Sequence, residues 1–213
     1  MRKIIIFDLD GTLLDTLKDL NEALNYTLAE FNFAKISLDK TRALVGNGIR
    51  KLIIDACNTD KYIDSMFKCF IDYYNKNINV YTKPYDNIKE LLYKLKDKGY
   101  ALCVISNKNY VPLNILVDYY FKDIFDIVIG DGEGYLKKPN PDSILYCINK
   151  LNSNLSNTYY IGDSDIDIKT VNNAKCNGVF VSYGFRDKEK LVEAGAKIIL
   201  DSVDALTNYL LNV

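Results

Sequence analysis

The feature that most constrains the fold is an alternation of short apolar runs with amphipathic stretches from residue 84 onward. Runs such as YALCVIS, IFDIVIG and NTYYIG have the length and the β-branched content of buried strands. Stretches with apolar residues at helical spacing separate them, as in NIKELLYKLKDKG and PDSILYCINKL. Repeated strand–helix units of this kind predict an α/β fold with a doubly wound, Rossmann-like parallel sheet, because parallel neighbours need crossover connections.

The N-terminal part of the chain adds one strand and then a long helical segment. Ile4, Ile5, Ile6 and Phe7 form a continuous apolar run that suits a strand covered on both faces. Residues 16–81 show only helical spacing, as in LKDLNEALNYTL and YIDSMFKCFIDYYNK. We therefore predict an α/β core made of residues 1–15 and 82–213, interrupted after its first strand by a helical cap of residues 16–81.

Composition excludes several classes of function. The chain has 27 basic and 28 acidic side chains, which gives no electrostatic case for binding nucleic acid or a membrane surface. It contains no histidine, so catalytic triads with a histidine base are excluded and acid–base chemistry must use other groups. Its five cysteines form no CxxC pair, and no apolar run is long enough to span a membrane. These features predict a cytoplasmic protein with reduced thiols.

The first strand ends in two carboxylates, Asp8 and Asp10, with only Leu9 between them. Alternation along a strand sends residues two apart to the same side, so these carboxylates project together. They repel each other unless a cation or a shared proton intervenes. Taken alone, the stretch fits a solvated Asp-Gly turn equally well.

Later strands also end in polar residues. One apolar run ends in Ser106 and Asn107, and another ends in GDSDID, which contains Asp163 and Asp167. Between them lies KKPNPD, which contains Lys138. Each segment alone fits a helix cap, a solvated loop or a surface turn. Parallel strands bring all of them to one edge, where clustered carboxylates favour Mg²⁺ and the hydroxyl, amide and lysine groups suit a phosphate.

These motifs, in this order, resemble those of the haloacid dehalogenase superfamily of aspartate-nucleophile phosphohydrolases. The matching stretches are FDLDGTLLDT, ISNK, the lysine before Pro139, and IGDSDID. The helical segment is similar to the cap that this superfamily inserts after its first strand, so the resemblance covers essentially the whole chain. Within the superfamily, DTLKDLNEALNYTL, VGNG and KKPNPD are most similar to phosphoglycolate phosphatases.

The resemblance implies a role for each carboxylate. Asp8 is expected to be the nucleophile that forms an aspartyl phosphate, and Asp10 the general acid and then the base. Asp8, the backbone carbonyl of Asp10, and Asp163 are expected to bind Mg²⁺, with Asp167 supporting the site from outside. The implied activity is hydrolysis of a small phosphate monoester, such as 2-phosphoglycolate.

The resemblance also implies a set of residues around the phosphoryl group. Lys138 is favoured over its neighbour Lys137 because it directly precedes a proline, and Thr12 is further expected to fix the turn and support Asp10. The expected phosphate-binding residues are Thr12, Ser106, Asn107 and Lys138.

The VGNG stretch interrupts helical periodicity inside the predicted cap. We predict that Asn47, Gly48 and Arg50 contact the substrate there, with Arg50 pairing with a substrate carboxylate. A plain interhelical turn with a solvated arginine fits the same stretch equally well.

Two other classes of function share parts of this pattern. A sugar-phosphate mutase, a pyrophosphatase or a nucleotidase of the same superfamily would carry the same core motifs. A phospho-aspartate signalling module also combines an aspartate, a hydroxyl residue and a lysine on a parallel sheet. Signalling modules of that kind place the phosphorylated aspartate on the third strand and lack a helical insertion, so the paired acids on the first strand favour the enzyme.

Overall fold

In the computed structural model, which describes residues 1–213, eight strands divide between two sheets. Six of them form a parallel sheet in the spatial order fifth, fourth, first, sixth, seventh and eighth, which confirms the predicted fold class. In chain order the strands are β1 (Ile4–Phe7), β2 (Leu14–Asp15), β3 (Lys83–Pro84), β4 (Ala101–Asn109), β5 (Ile127–Asp131), β6 (Thr158–Gly162), β7 (Asn177–Val181) and β8 (Ile199–Leu200).

Ten helices accompany the strands, and a 3₁₀ turn at Leu155–Asn157 precedes β6. None of these helices combines the length and the apolar character that crossing a bilayer requires. The helices are α1 (Leu17–Glu30), α2 (Leu38–Leu44), α3 (Ile49–Cys57), α4 (Ile63–Lys76), α5 (Ile88–Asp97), α6 (Tyr110–Phe121), α7 (Asp142–Lys150), α8 (Asp165–Ala174), α9 (Lys188–Glu193) and α10 (Val203–Asn212).

Strand β1 lies inside the large sheet, with both of its edges paired and both of its faces covered. It pairs in parallel with β4 on one side and with β6 on the other. Ile5 and Phe7 pack into an apolar cluster on one face of the sheet, and Ile4 and Ile6 pack into a second cluster on the opposite face. The carboxyl ends of three neighbouring strands therefore meet directly beyond Phe7, which is where α/β sheets bind their ligands.

The segment of residues 16–81, hereafter the helical insertion, contains α1 to α4 and no strand. Strands β2 and β3 join its two ends in an antiparallel ribbon, with Leu14 beside Pro84 and Asp15 beside Lys83. Two-residue strands are too short to give a periodic signal, so this ribbon was not predicted from the sequence. It places the two chain connections of the insertion side by side.

The insertion packs onto the core through a shared apolar cluster. On α4, Met66, Phe70 and Tyr74 recur every four residues and are buried, as helical periodicity predicts. They belong to the same cluster as Leu20 of α1 and Phe7 of β1. Burial of this face holds the insertion against the sheet edge where the polar motifs converge.

Candidate active site

Asp8 is the first residue after β1. Its backbone N–H donates to the backbone oxygen of Ile161 on β6 at 2.9 Å, so the hydrogen bonding between β1 and β6 extends to Asp8. One carboxylate oxygen, Oδ1, accepts a hydrogen bond from the backbone N–H of Leu9 at 2.7 Å. The other, Oδ2, lies 3.0 Å from Nζ of Lys138. The sheet therefore fixes the position of a nearly buried carboxylate.

Lys138 lies between β5 and α7 and is itself buried. Its ammonium lies 2.8 Å from Oδ1 of Asp167, 3.0 Å from the hydroxyl of Tyr160 and 3.0 Å from Asp8. Burial disfavours the charged form, but Asp167 and Asp8 outweigh burial and raise the pKa of Lys138. The side chain of Lys137 is 40% exposed, so Lys138 is the lysine at Asp8.

Three aspartates form a buried cluster at this edge of the sheet. Asp8, Asp163 and Asp167 each have a carboxylate oxygen within 4.8 Å of the others. Burial raises the pKa of Asp8 to about 7 in spite of the opposing charge of Lys138. Burial, reinforced by Asp167 and Asp8, raises the pKa of Asp163 to about 8. Since close, buried carboxylates need a proton or a cation, this set of oxygen donors fits Mg²⁺.

The two later aspartates have different hydrogen-bond partners. Asp163 lines the pocket, and its Oδ2 accepts from the backbone N–H of Phe185 at 2.6 Å. Both oxygens of Asp167 are already engaged. Its Oδ1 contacts the buried lysine, and its Oδ2 accepts from the backbone N–H and the hydroxyl of Ser164, at 3.1 and 2.6 Å, in the capping box of α8. Asp163 thus faces the pocket, while Asp167 supports its neighbours.

Asp10 is held by two side chains. Its Oδ1 accepts a hydrogen bond from the hydroxyl of Thr16 at 2.6 Å and lies 3.1 Å from Nζ of Lys108. The prediction that Thr12 supports Asp10 is therefore wrong. The chain turns between these residues, which sends the Thr12 hydroxyl towards Asp163, at 3.4 Å, and brings Thr16 back to Asp10.

Gly11 makes this turn possible. Its φ of +82° lies in the left-handed region, and a Cβ there would lie 2.3 Å from Oδ2 of Asp163. A side chain at this position would push the first motif away from the carboxylate that follows β6. Glycine therefore allows the loops after β1 and β6 to make direct contact.

Ser106 and Asn107 lie near the end of β4 and are buried beside the pocket. The hydroxyl of Ser106 accepts from the backbone N–H of Lys108 at 3.3 Å. The side-chain amide of Asn107 donates to the backbone oxygens of Gly46 and Lys138, at 3.1 and 3.0 Å, and its Oδ1 accepts from the N–H of Lys138 at 2.8 Å. The Asn107 side chain thus joins β4 to two loops, whereas the Ser106 hydroxyl has donor capacity left for a ligand.

The turn between α2 and α3, residues 45–48, covers the pocket. Gly48 lines the pocket, whereas Asn47 is exposed and does not. Arg50 does not reach the pocket either, because its guanidinium forms an exposed ion pair with Asp64 at 2.7 Å. The structure therefore contradicts the prediction that Arg50 pairs with a substrate in the pocket, because α3 directs this side chain to α4.

The pocket has a polar side formed by the core and an apolar side formed mainly by the insertion. Asp8, Asp10, Asp163 and Ser106 lie on the polar side. The apolar side chains of the pocket are Leu20, Val45, Ile49, Leu52 and Phe185.

Comparison with known proteins agrees with this geometry. A family model for haloacid dehalogenase-like hydrolases matches residues 5–181. The chain belongs to this family. A phosphoglycolate phosphatase of Psychrobacter arcticus is 33% identical over 222 aligned residues, which cover 99% of this chain and 96% of the relative. A phosphoglycolate phosphatase of Aquifex aeolicus is also 33% identical, with 86% of each chain covered.

The fold of this haloacid dehalogenase-like hydrolase also matches solved structures. A predicted phosphoglycolate phosphatase from Haemophilus somnus superposes with a TM-score of 0.91, at 28% identity over 98% of both chains. The family and these relatives identify the chain as an enzyme of the phosphatase class.

Arg186 is a pocket residue of this hydrolase that the sequence analysis missed. It follows β7 and is 8% exposed, and its two terminal nitrogens donate to the backbone oxygens of Arg42 and Val45, both at 2.6 Å. Arg42 in return donates to the oxygen of Gly184 at 3.0 Å. Extending the strand-end argument to the segment after β7 would have found Arg186.

Lys108 is the second missed residue. The motif ISNK predicts its place at the end of a strand but indicates no role for it. It is 4% exposed, and its ammonium lies between Asp10, at 3.1 Å, and the hydroxyl of Tyr74 on α4, at 2.8 Å. The pocket of the hydrolase therefore contains a cation that links the core to the insertion.

Proposed function

We propose that this hydrolase cleaves small phosphate monoesters, with Asp8 as the nucleophile and water as the final phosphoryl acceptor. The observation that carries the proposal is the environment of Asp8, which lines the pocket at the end of β1, 3.0 Å from the ammonium of Lys138. Two further carboxylates lie beside it, and the chain has no histidine to offer as a nucleophile or a base.

In the first step, a carboxylate oxygen of Asp8 attacks phosphorus and the bond to the ester oxygen breaks. Asp10, in protonated form, gives its proton to the departing alkoxide. The Ser106 hydroxyl, the neighbouring backbone N–H groups near the end of β4 and Lys138 hold the phosphoryl oxygens while charge builds on them. The products of this step are the alcohol and an aspartyl phosphate.

In the second step, Asp10 acts as the base. Its carboxylate takes a proton from water as the water oxygen attacks phosphorus, and the bond to Asp8 breaks. Inorganic phosphate leaves, Asp8 regains its carboxylate, and Asp10 is again protonated.

The residues present fit a bound Mg²⁺. Asp8, Asp163 and the backbone carbonyl of Asp10 would hold the ion. When bound, it offsets the negative charge of the carboxylates and of the phosphoryl group. Asp167 takes no direct part in this arrangement, because its oxygens hold Lys138 and cap α8.

The proposed substrate is 2-phosphoglycolate, which carries a carboxylate besides its phosphate. The names of the relatives from Psychrobacter arcticus and Aquifex aeolicus support it. Arg186 supports it as well, because it lines the pocket and supplies positive charge for a second anionic group. We propose a small-molecule substrate and no nucleic acid or membrane as a partner. The five free cysteines fit a reducing cytoplasm.

We also propose that residues 16–81 act as a cap over a core made of residues 1–15 and 82–213. The β2–β3 ribbon carries both connections, so a small rotation there would open the pocket. Closure would exclude bulk water while the aspartyl phosphate exists.

A panel of phosphate esters tests the proposed function. Purified protein with Mg²⁺ is given 2-phosphoglycolate, glycerol phosphate, hexose phosphates, nucleoside monophosphates and pyrophosphate, and inorganic phosphate is measured. The proposal predicts the highest kcat/KM on 2-phosphoglycolate. Preference for pyrophosphate or a nucleotide, or isomerisation of a hexose phosphate without release of phosphate, would assign a different activity.

A further inference from the structure

A buried hydrogen bond joins the helical insertion to the acid–base residue of the core. Tyr74 lies on α4 and is 1% exposed, yet its hydroxyl reaches Nζ of Lys108 at 2.8 Å. The same nitrogen lies 3.1 Å from Oδ1 and 3.4 Å from Oδ2 of Asp10. The chain thus forms a continuous path from an insertion helix through a core lysine to Asp10.

Lys108 depends on both partners. Its side chain is 2% exposed, and Asp10 is the only carboxylate with which it forms an ion pair. The hydrogen-bond and ion-pair partners of this buried ammonium are Asp10, at 3.1 Å, and the Tyr74 hydroxyl, at 2.8 Å. A buried ammonium that loses one partner must move or recruit another, because an unsatisfied buried charge is costly.

The hydrolytic steps described above do not use Tyr74. Its hydroxyl contacts neither Asp8 nor the residues around the phosphoryl group, and its ring packs within the apolar cluster beside Phe70. A phenylalanine would fill the same apolar space. The Tyr74 hydroxyl therefore holds the Lys108 ammonium in place, and this ammonium holds the Asp10 carboxylate.

We propose that Tyr74 is a positioning residue for Asp10, acting through Lys108, so that proton transfer is efficient only while α4 lies against the core. The proposal rests on the function proposed above, in which Asp10 is the acid and the base. Thr16 fixes Asp10 from the chain that enters the insertion, and Lys108 fixes it from β4. When α4 moves away, Lys108 loses its Tyr74 partner and Asp10 loses a fixed orientation.

The proposal predicts a dependence on the leaving group. An alkoxide needs a proton as it departs, so a misplaced Asp10 slows its release. The p-nitrophenolate ion is a stable leaving group and needs no proton. Loss of the Tyr74 hydroxyl should therefore slow the first step with alkyl phosphates and leave the first step with p-nitrophenyl phosphate nearly unchanged.

The test compares Tyr74→Phe with Tyr73→Phe, which removes a hydroxyl from the adjacent position of the same helix. For alkyl phosphates, kcat and KM are measured on the best substrate of the panel. For p-nitrophenyl phosphate, the rate of the first release of p-nitrophenolate is measured by stopped flow. We expect Tyr74→Phe to lower kcat on the alkyl phosphate about tenfold or more with little change in KM, because general acid catalysis contributes ~100-fold or more. The stopped-flow rate should change less than about twofold, and Tyr73→Phe should match wild type in both.

An equal decrease in kcat on the alkyl phosphate and in the stopped-flow rate, a rise in KM alone, or no effect of Tyr74→Phe would overturn the proposal. If Tyr74→Phe does not fold, as judged by its melting curve, Lys108→Met replaces it and must give the same leaving-group signature. Asp10→Asn is measured in parallel. If Asp10→Asn keeps full turnover of alkyl phosphates, the proposed function itself fails. If Asp10→Asn loses turnover while Tyr74→Phe does not, only the positioning role of Tyr74 fails.

Discussion

The carboxylate edge of the sheet and the α2–α3 turn that covers it are held in place in different ways. At the sheet edge, Asp8 and Lys138 contact each other within the α/β core. In the turn, the backbone oxygens of Val45 and Gly46 accept hydrogen bonds from core side chains, which break if the insertion moves away. We propose that the reaction takes place at the fixed sheet edge and that the insertion controls access to it. Substitutions in the two regions should then have different kinetic signatures.

The largest effect is expected at the fixed edge. Asp8→Asn should lower turnover by a factor of ~1,000 or more, because the amide cannot replace the carboxylate as nucleophile. The fold should survive, since asparagine has nearly the same size and removes a buried charge. The check is steady-state turnover together with the melting temperature, with the exposed Asp142→Asn as control. Residual activity of a tenth of wild type would contradict the covalent route.

A smaller loss is expected at the two later aspartates, and its nature should differ between them. Asp163→Ala should raise the Mg²⁺ concentration for half-maximal activity by about 100-fold, because it removes a proposed ligand. Asp167→Ala should instead lower the free energy of unfolding by about 3 kcal/mol, because it leaves Lys138 with fewer buried partners. Metal titrations and denaturant unfolding separate these outcomes. Full activity after exhaustive chelation, or the opposite ranking in the titration, would reverse the assignment.

At the contacts by which the core holds the α2–α3 turn, Arg186→Met should raise KM by about tenfold. The change removes hydrogen bonds to two insertion carbonyls, a net ~1.5 kcal/mol, and the positive charge near the substrate. The matched control is Arg50→Met, whose side chain pairs with Asp64 at the exposed surface and should change KM by less than about twofold. The KM values of both variants are measured by steady-state kinetics on the best substrate. A larger rise in KM for Arg50→Met than for Arg186→Met would show that Arg50 contacts the substrate.

The smallest effect concerns the stability of metal-free protein. Burial raises the pKa of Asp8 to about 7 and of Asp163 to about 8, so the folded state holds more protons than the unfolded state between about pH 4 and pH 8. The free energy of unfolding should therefore fall as the pH rises from 6 to 8 in the presence of EDTA. Asp163→Asn should flatten this slope, and Mg²⁺ should restore stability at pH 8. A slope unchanged by Asp163→Asn would show that other groups cause it.

The contrast between the sheet edge and the insertion explains which parts of the fold and the site could be predicted from the sequence. Asp8, Ser106, Asp163 and a lysine of KKPNPD are predicted to lie together because carboxyl ends of parallel strands share an edge whatever the details of packing. Apolar periodicity likewise predicted the helices of the insertion and the strands of the sheet. These inferences need only local pattern and the direction of the strands.

The remaining features depend on how the insertion lies on the core. Arg50 was expected in the pocket, but the packing of α3 on α4 pairs it with Asp64, fourteen residues away. Arg186 and Lys108 become pocket residues only because insertion carbonyls and the Tyr74 hydroxyl meet them. No periodicity encodes such contacts, since they join segments far apart in sequence.

The proposed mechanism requires a covalent bond between Asp8 and phosphorus. The decisive measurement is rapid mixing of enzyme with substrate and Mg²⁺, quenching in acid, and reduction with borohydride, which converts an aspartyl phosphate to homoserine. Peptide mass spectrometry should then find homoserine at position 8 and at no other aspartate, in amounts that rise and fall within one turnover. Turnover of substrate with no homoserine at position 8 at any quench time would contradict the proposed mechanism.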